Sequence, residues 1–225
     1  MNGPGDRSTT RAVYDATAGA YAEAIGTRLN PAFEGPIDRA LLGAFAEMVR
    51  GSVGPVGDLG CGPGRVAAFL ADRDVATLGL DLSESMVRIG SDAHDGIPFG
   101  AADLAHLPLA DGVLAGAVCW YSVIHTPADE LADVFGEVAR TLRTSAPLLV
   151  AFQTGEDERI ERPDAHGSGH RLTNHRHHVD TVARALSTAG FHLHSRTVRE
   201  PATSGEPTPQ AFLLAHAGSR PRAMG

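Results

Sequence analysis

Between residues 10 and 26, apolar and small side chains fall at spacings of one, three and four through Val13, Tyr14, Thr17, Tyr21 and Ile25, which predicts one face of a helix. Residues 36 to 50 repeat the pattern with Ile37, Leu41, Leu42, Phe45 and Val49, and Gly51 stops it. The texture then changes. GPVGDL, VATLGLDL, IPFGAADL, GVLAGAVCWYS and APLLVAFQ read as five strands, separated by helical stretches such as GRVAAFLAD, SESMVRIGSDA and ADELADVFGEVARTLR. The serine that opens SESMVRIGSDA can cap its helix. Strands alternating with helices imply a parallel sheet covered on both faces.

Residues 154 to 173 break that rhythm with the polar stretch TGEDERIERPDAHGSGHRLT, expected to be a long connection. HHVDTVARALSTAG then predicts a helix with Val179, Val182, Ala183 and Leu186 inward, ended by Gly190. FHLHSRTVRE and PQAFLLAHA, joined by the turn PATSGEPT, predict an antiparallel hairpin. No internal repeat is visible. Residues 1–11 and 218–225 are expected to be flexible, leaving residues 12–217 as one domain.

Composition narrows the function. The chain of 225 residues can bury a continuous core, and its hydrophobic fraction of 43% suits a soluble globular domain. No apolar run reaches the roughly 18 residues that cross a bilayer, and MNGPGDRSTTRA lacks the apolar stretch of an export signal, so the expected compartment is cytoplasmic. Two cysteines make a disulfide framework improbable. A net charge of −8 lacks the basic footprint of a nucleic-acid binder, which favours a small-molecule partner with neither nucleic acid nor membrane. All 19 basic residues are arginine; without lysine there is no Schiff-base amine and no P-loop lysine. Nothing in the pattern specifies an oligomeric state.

The strongest motif is VGDLGCGPGRV, residues 56 to 66, where glycines 60, 62 and 64 sit between a strand and a helix. A dinucleotide-binding turn would want glycine at 65, which is arginine here, so a nicotinamide cofactor fits poorly. The GxGxG spacing, with an acidic residue two places ahead, resembles motif I of the class I S-adenosylmethionine (SAM)-dependent methyltransferases. Later motifs follow in that family's order: Asp81 in LGLDLS, Asp103 in AADLAHLPL, the fourth-strand stretch AVCWYSVIHTP and the helix and strand of EVARTLRTSAPLLVAF. The N-terminal YDATAGAY resembles the opening helix of small-molecule enzymes of the ubiquinone-biosynthesis type. One departure is Ser145 and Ala146, where many relatives carry a glycine pair.

The resemblance implies a Rossmann-like α/β fold with a seven-stranded, mostly parallel sheet and an antiparallel C-terminal hairpin, helices on both faces, and SAM as cofactor with S-adenosylhomocysteine as product. Residues 12–51 would form a helical cap and 154–178 the acceptor-pocket connection. Asp58 would organise contacts to the methionine ammonium, Asp81 would accept both ribose hydroxyls, and Asp103 would lie near the adenine amino group, with Gly60, Gly62, Gly64, Leu82 and Leu104 beside them. Tyr14 and Tyr21, seven apart and so on one helix face, either close over the cofactor or pack in the core. Cys61 and Cys119 are expected at the cofactor's border as small packing residues, and Met86 either packs on the adenine or fills the core.

For chemistry, His125 in YSVIHTP is the first candidate general base, with pocket lining or helix capping as the alternatives. Tyr121 and the histidine run HGSGHRLTNHRHH supply acceptor-pocket candidates, His166, His170 and His175 among them. The run does not read as a metal centre: Gly167 and Gly169 oppose a helix, no cysteine lies within it, and no three-histidine spacing matches a closed site. His177 and His178 are expected to begin the following helix. Three functions remain on the sequence: methylation of a small molecule, methylation of a protein, and cofactor binding by a regulatory or assembly module without turnover.

Overall fold

The computed structural model describes residues 4–165, 169–202 and 206–219. Two helices come first, α1 (Pro4–Ile25) and α2 (Pro36–Val49). Helix α1 begins at Pro4, so residues 4–11, expected to be flexible, are its first turns. An alternating series follows: β1 (Val56–Leu59), α3 (Arg65–Ala71), β2 (Thr77–Asp81), α4 (Glu84–Ala93), β3 (Phe99–Ala101), β4 (Gly116–Trp120), α5 (Leu131–Thr141) and β5 (Pro147–Gln153). Where one polar connection was expected there is a hairpin of β6 (Glu158–Arg162) and β7 (Leu172–Arg176). Helix α6 (Val179–Thr188) and the antiparallel pair β8 (Phe191–Arg199) and β9 (Gln210–Ala217) complete the chain.

The main sheet has seven strands in the order β3-β2-β1-β4-β5-β9-β8, parallel from β3 to β5 and antiparallel at β9 and β8. Strand order reverses between β1 and β4, and a doubly wound sheet opens a crevice there at the carboxyl ends of its strands. Alternation within the central strands feeds two cores. Val56, Val118, Trp120, Leu149 and Ala151 pack with Leu42 and Phe45 of α2 and Val66 and Leu70 of α3. Leu59, Cys119, Leu148, Val150 and Phe152 face the other way, toward Phe135 and Val138 of α5 and Val182 and Leu186 of α6. Every residue of β1 and β4 is buried, as strands covered on both faces require.

Local chemistry matches the sequence in two places. Ser83 caps α4, its Oγ accepting the Met86 amide at 3.1 Å. Ser145 has φ 63°, in the left-handed region that glycine adopts at least cost. No helix among the described residues is long and apolar enough to cross a membrane.

Candidate active site

A cavity of about 700 Å³ opens at the carboxyl ends of β1, β2 and β4 and runs beneath α1 to the ends of β5 and β9. The glycine turn shapes its floor. Gly60 has φ 75°, and a Cβ there would stand 2.2 Å from the Ser122 Cβ, so only glycine lets the turn pass beneath the loop after β4. Gly60 and Gly62 line the cavity. Gly64 does not: at φ 83° it caps α3 and packs on Phe99, 2.7 Å from where a Cβ would sit, so its role is to turn the chain rather than to touch a ligand.

Three carboxylates fall where the sequence placed them. Asp58, 1% exposed, accepts the Ala67 amide at 2.8 Å, and burial pushes its pKa up to about 7. A buried carboxyl with one hydrogen bond, facing a cavity, favours a cationic neighbour, which fits the ammonium group of a methionine moiety. Asp81 accepts Gly62 N–H on Oδ2 and Ser83 N–H on Oδ1, both at 2.8 Å, and burial raises its pKa too. Each oxygen keeps a lone pair for a hydroxyl, as a ribose contact needs. Asp103 accepts the Ala105 amide at 2.9 Å and pairs with Arg7 at 3.2 Å; Arg7 also reaches Glu130 at 2.8 Å. Leu82, Met86 and Leu104 line the same end, and Met86, 1% exposed, also fills the core.

Helix α1 roofs the cavity. Arg7 ties its first turns to Asp103 and Glu130, while Asp15 accepts Ser83 Oγ–H at 2.6 Å and Arg11 pairs with Glu84 at 2.5 Å. Tyr14 and Tyr21 both face the cavity and meet edge to face, ring centroids 5.9 Å apart. The Tyr14 hydroxyl lies 2.8 Å from His125 Nε2, and His125 Nδ1 lies 2.9 Å from the Thr173 carbonyl oxygen. A carbonyl only accepts, so Nδ1 carries the hydrogen; in the neutral ring Nε2 is then the acceptor and Tyr14 the donor. Burial raises the Tyr14 pKa, with the charges of Tyr21 and Asp81 acting in the same sense, so the phenol keeps its proton.

Several expected site residues lie elsewhere. Cys119 is fully buried in the core behind the cavity, its thiol pushed up to about 12 by burial, because strand alternation turns it away from the lining Trp120. Cys61 does line the cavity. His170 is exposed at the hairpin's return, away from the cavity. His175 is 8% exposed and stacks on His177 at 5.7 Å; on a strand Thr173, His175 and His177 share one face, here packed inward. His177 follows β7 in an isolated bridge to Thr154 rather than starting α6, its carbonyl accepting Thr154 Oγ–H at 2.9 Å, and His178 alone caps the helix. His166 lies outside the described residues. Thus no described residue of 154–178 lines the cavity; the stretch contributes the Thr173 carbonyl instead. Among the described residues no group of three His, Cys, Asp or Glu side chains could hold a metal.

Tyr121 lines the distal end as expected, with φ 58°. Its neighbours there were not anticipated: Glu34, Arg65, Trp120, Gln153, Glu206 and Gln210. Gln153 at the carboxyl end of β5 pairs in register with Gln210 at the amino end of β9, so an antiparallel neighbour brings its first residue to the functional edge. The rule that sites gather at strand ends gave a signal for Gln153. Nothing local marked Glu34 or Glu206.

Comparison with known proteins agrees with this geometry. A methyltransferase-domain family model matches residues 56–145. Methyltransferase GfsG of Streptomyces halstedii is 35% identical over 101 residues, covering 42% of this chain and 36% of that protein, so the match spans about a third of the relative. Among solved structures, the [4+2]-cyclase SpnF superposes with a TM-score of 0.73 at 17% identity, over 96% of this chain and 97% of that one. Magnesium protoporphyrin IX methyltransferase (ChlM) of Synechocystis PCC 6803, solved with bound SAM, gives 0.67 at 18% identity over 95% and 97%. The 1,6-didemethyltoxoflavin-N1-methyltransferase of Burkholderia thailandensis gives 0.68 at 13% over 97% and 92%. The reversed strand order and the glycine turn both fall within residues 56–145, the segment that matches a methyltransferase-domain model, and the whole sheet has the fold of the solved methyltransferases.

Proposed function

We propose that the protein transfers a methyl group from SAM to a small-molecule acceptor and that Tyr14 and His125 together handle the acceptor's proton. The observation that carries this reading is a cavity that joins the Asp58, Asp81 and glycine-turn end to a distal chamber, with the Tyr14–His125 pair on its wall. SAM supplies a methyl group already activated by its sulfonium centre. The chain's part is to hold and orient: Asp58 toward an ammonium, Asp81 toward ribose hydroxyls, and Asp103 toward the adenine end. Roofing by α1 excludes water. A proton leaving the acceptor reaches the Tyr14 oxygen as the phenol passes its own to His125 Nε2, and the Thr173 carbonyl steadies the imidazolium that results. The ubiquinone-biosynthesis-like opening helix and the small-molecule neighbours support a small acceptor. Both cysteines are free thiols, which suits a cytoplasmic setting.

A second reading, cofactor binding without methyl transfer, draws on the cyclase that shares the fold. Calorimetry with SAM, S-adenosylhomocysteine and NAD tests the cofactor; failure to bind SAM overturns the proposal. A compound screen that reads S-adenosylhomocysteine release then separates turnover from binding alone. For an acceptor that must lose a proton, Tyr14→Phe and His125→Ala should each lower kcat by ~10²-fold or more with SAM affinity retained. Unchanged kcat in both would remove the pair from the mechanism.

A further inference from the structure

Among the described residues, seven carboxylate side chains and two guanidiniums line the cavity. Both guanidiniums are engaged: Arg7 by Asp103 and Glu130, and Arg65 by Glu34, whose side chain is 3% exposed. Behind the distal wall Arg199 is held from two sides, by Asp38 at 2.8 Å through Nε and Nη2, and by Glu206 at 2.7 and 2.6 Å through Nη1 and Nη2. Their side chains are 8%, 1% and 18% exposed, so two carboxylates share one guanidinium in a largely dry setting. The distal chamber therefore holds buried charge, but no positive charge left uncommitted.

We propose that the acceptor is an uncharged molecule with a hydrogen-bond-accepting oxygen or nitrogen, and that this chamber is built to refuse ions. The inference rests on the methyl-transfer reading of the same cavity. An anion entering would give up its hydration and meet carboxylates, with the lining guanidiniums of Arg7 and Arg65, and Arg199 behind them, already paired. A cation would meet this carboxylate excess, but a cofactor sulfonium would sit close by and oppose its entry. What the chamber offers is neutral. Trp120 lines it at 6% exposure, and its indole Nε1 is buried with no hydrogen-bond partner. An indole N–H only donates, so a ligand's acceptor atom relieves that group. Tyr121 adds a phenol that burial keeps protonated, and Gln153 with Gln210 adds two amides. Tyr21 and Phe33 complete an aromatic wall suited to a planar ligand.

Trp120 is the chain's single tryptophan, so its emission reports on the chamber. Protein saturated with S-adenosylhomocysteine is titrated with three probes of similar shape: benzamide, benzoate and benzylammonium. Benzamide should change the emission saturably, with a Kd at least tenfold below those of the two ions. Benzoate or benzylammonium binding as tightly as benzamide, or benzamide giving no saturable change, would overturn the inference. Glu206→Gln, which leaves Arg199 less neutralised, should gain at least threefold in benzoate affinity, and no gain counts against the charge argument. If that variant does not fold, Glu34→Gln releases Arg65 to the same end. Failure of S-adenosylhomocysteine itself to bind overturns the cofactor reading, and the probe series is then run on the free protein.

Discussion

The glycine turn at residues 60–64 and the histidine run at residues 166–178 stand out equally in the sequence, yet among the described residues only the first reaches the cavity. In the turn, residue type and backbone are the same fact: glycine is required because Ser122 crosses where a Cβ would be. In the run, the residue type says nothing about direction. Direction is set by strand register, which sends His175 and His177 inward, leaves His170 in solvent and makes His178 a cap. A motif that constrains the backbone locates itself, whereas a cluster of versatile side chains waits on its neighbours.

The sharpest way to break this contrast is within the turn. Gly60→Ala adds a left-handed cost of roughly 1–2 kcal/mol and an overlap with Ser122 of roughly 1–3 kcal/mol, so it should lose about 3 kcal/mol of stability in thermal unfolding. Gly62→Ala has φ 52° but no atom within 4 Å of the added Cβ and should lose only about 1 kcal/mol. Equal losses would show that the approach of Ser122 is not what selects glycine at 60.

Asp81→Ala comes next. It removes the acceptor of the Gly62 amide and the proposed ribose contact, and SAM binding by calorimetry should weaken by about 1–3 kcal/mol. Normal affinity would relocate the ribose.

Proton linkage offers a smaller, continuous probe. Burial holds the Asp58 pKa near 7, above its unfolded value, so the native state takes up a proton between about pH 4 and 7. That group's contribution to stability is present in acid and lost as pH rises through 7. A bound ammonium requires the ionised form, so SAM affinity should fall by about tenfold per pH unit below 7, with proton release on binding. Affinity flat from pH 5 to 8 would remove Asp58 from the ammonium contact.

The smallest effect belongs to the histidine run. Burial lowers the His177 pKa, and the neighbouring His175 acts in the same sense. A folded pKa below the unfolded one gives stability that is present above about pH 6.5 and lost as pH falls. His177→Leu should flatten that acid limb of the melting temperature without touching SAM affinity. A variant with an unchanged acid limb would place its cause outside the stacked pair.

What could be read in advance follows the same division. Strand and helix order came through because periodicity and the GxGxG spacing are local, and Asp58, Asp81 and Asp103 came with them as strand-end residues. The hairpin of β6 and β7 did not, because ERIER and LTNHR are too polar to read as strands; they pair with each other under α1, where Leu172 and Ala165 meet Val13. Cys119 was misplaced by a single step of alternation. The distal chamber was hidden for a different reason: Glu34, Gln153 and Glu206 come from three distant segments and meet only when β9 lies antiparallel beside β5.

Helix α1 carries Tyr14 and is attached to the body through the buried Val13, packed on Ala165 and Leu172, and through Arg7, Arg11 and Asp15, whose half-exposed ion pairs salt screens. Lifting that helix to exchange a ligand also parts Tyr14 from His125. In the proposed reaction the proton relay would thus be complete only while α1 is seated.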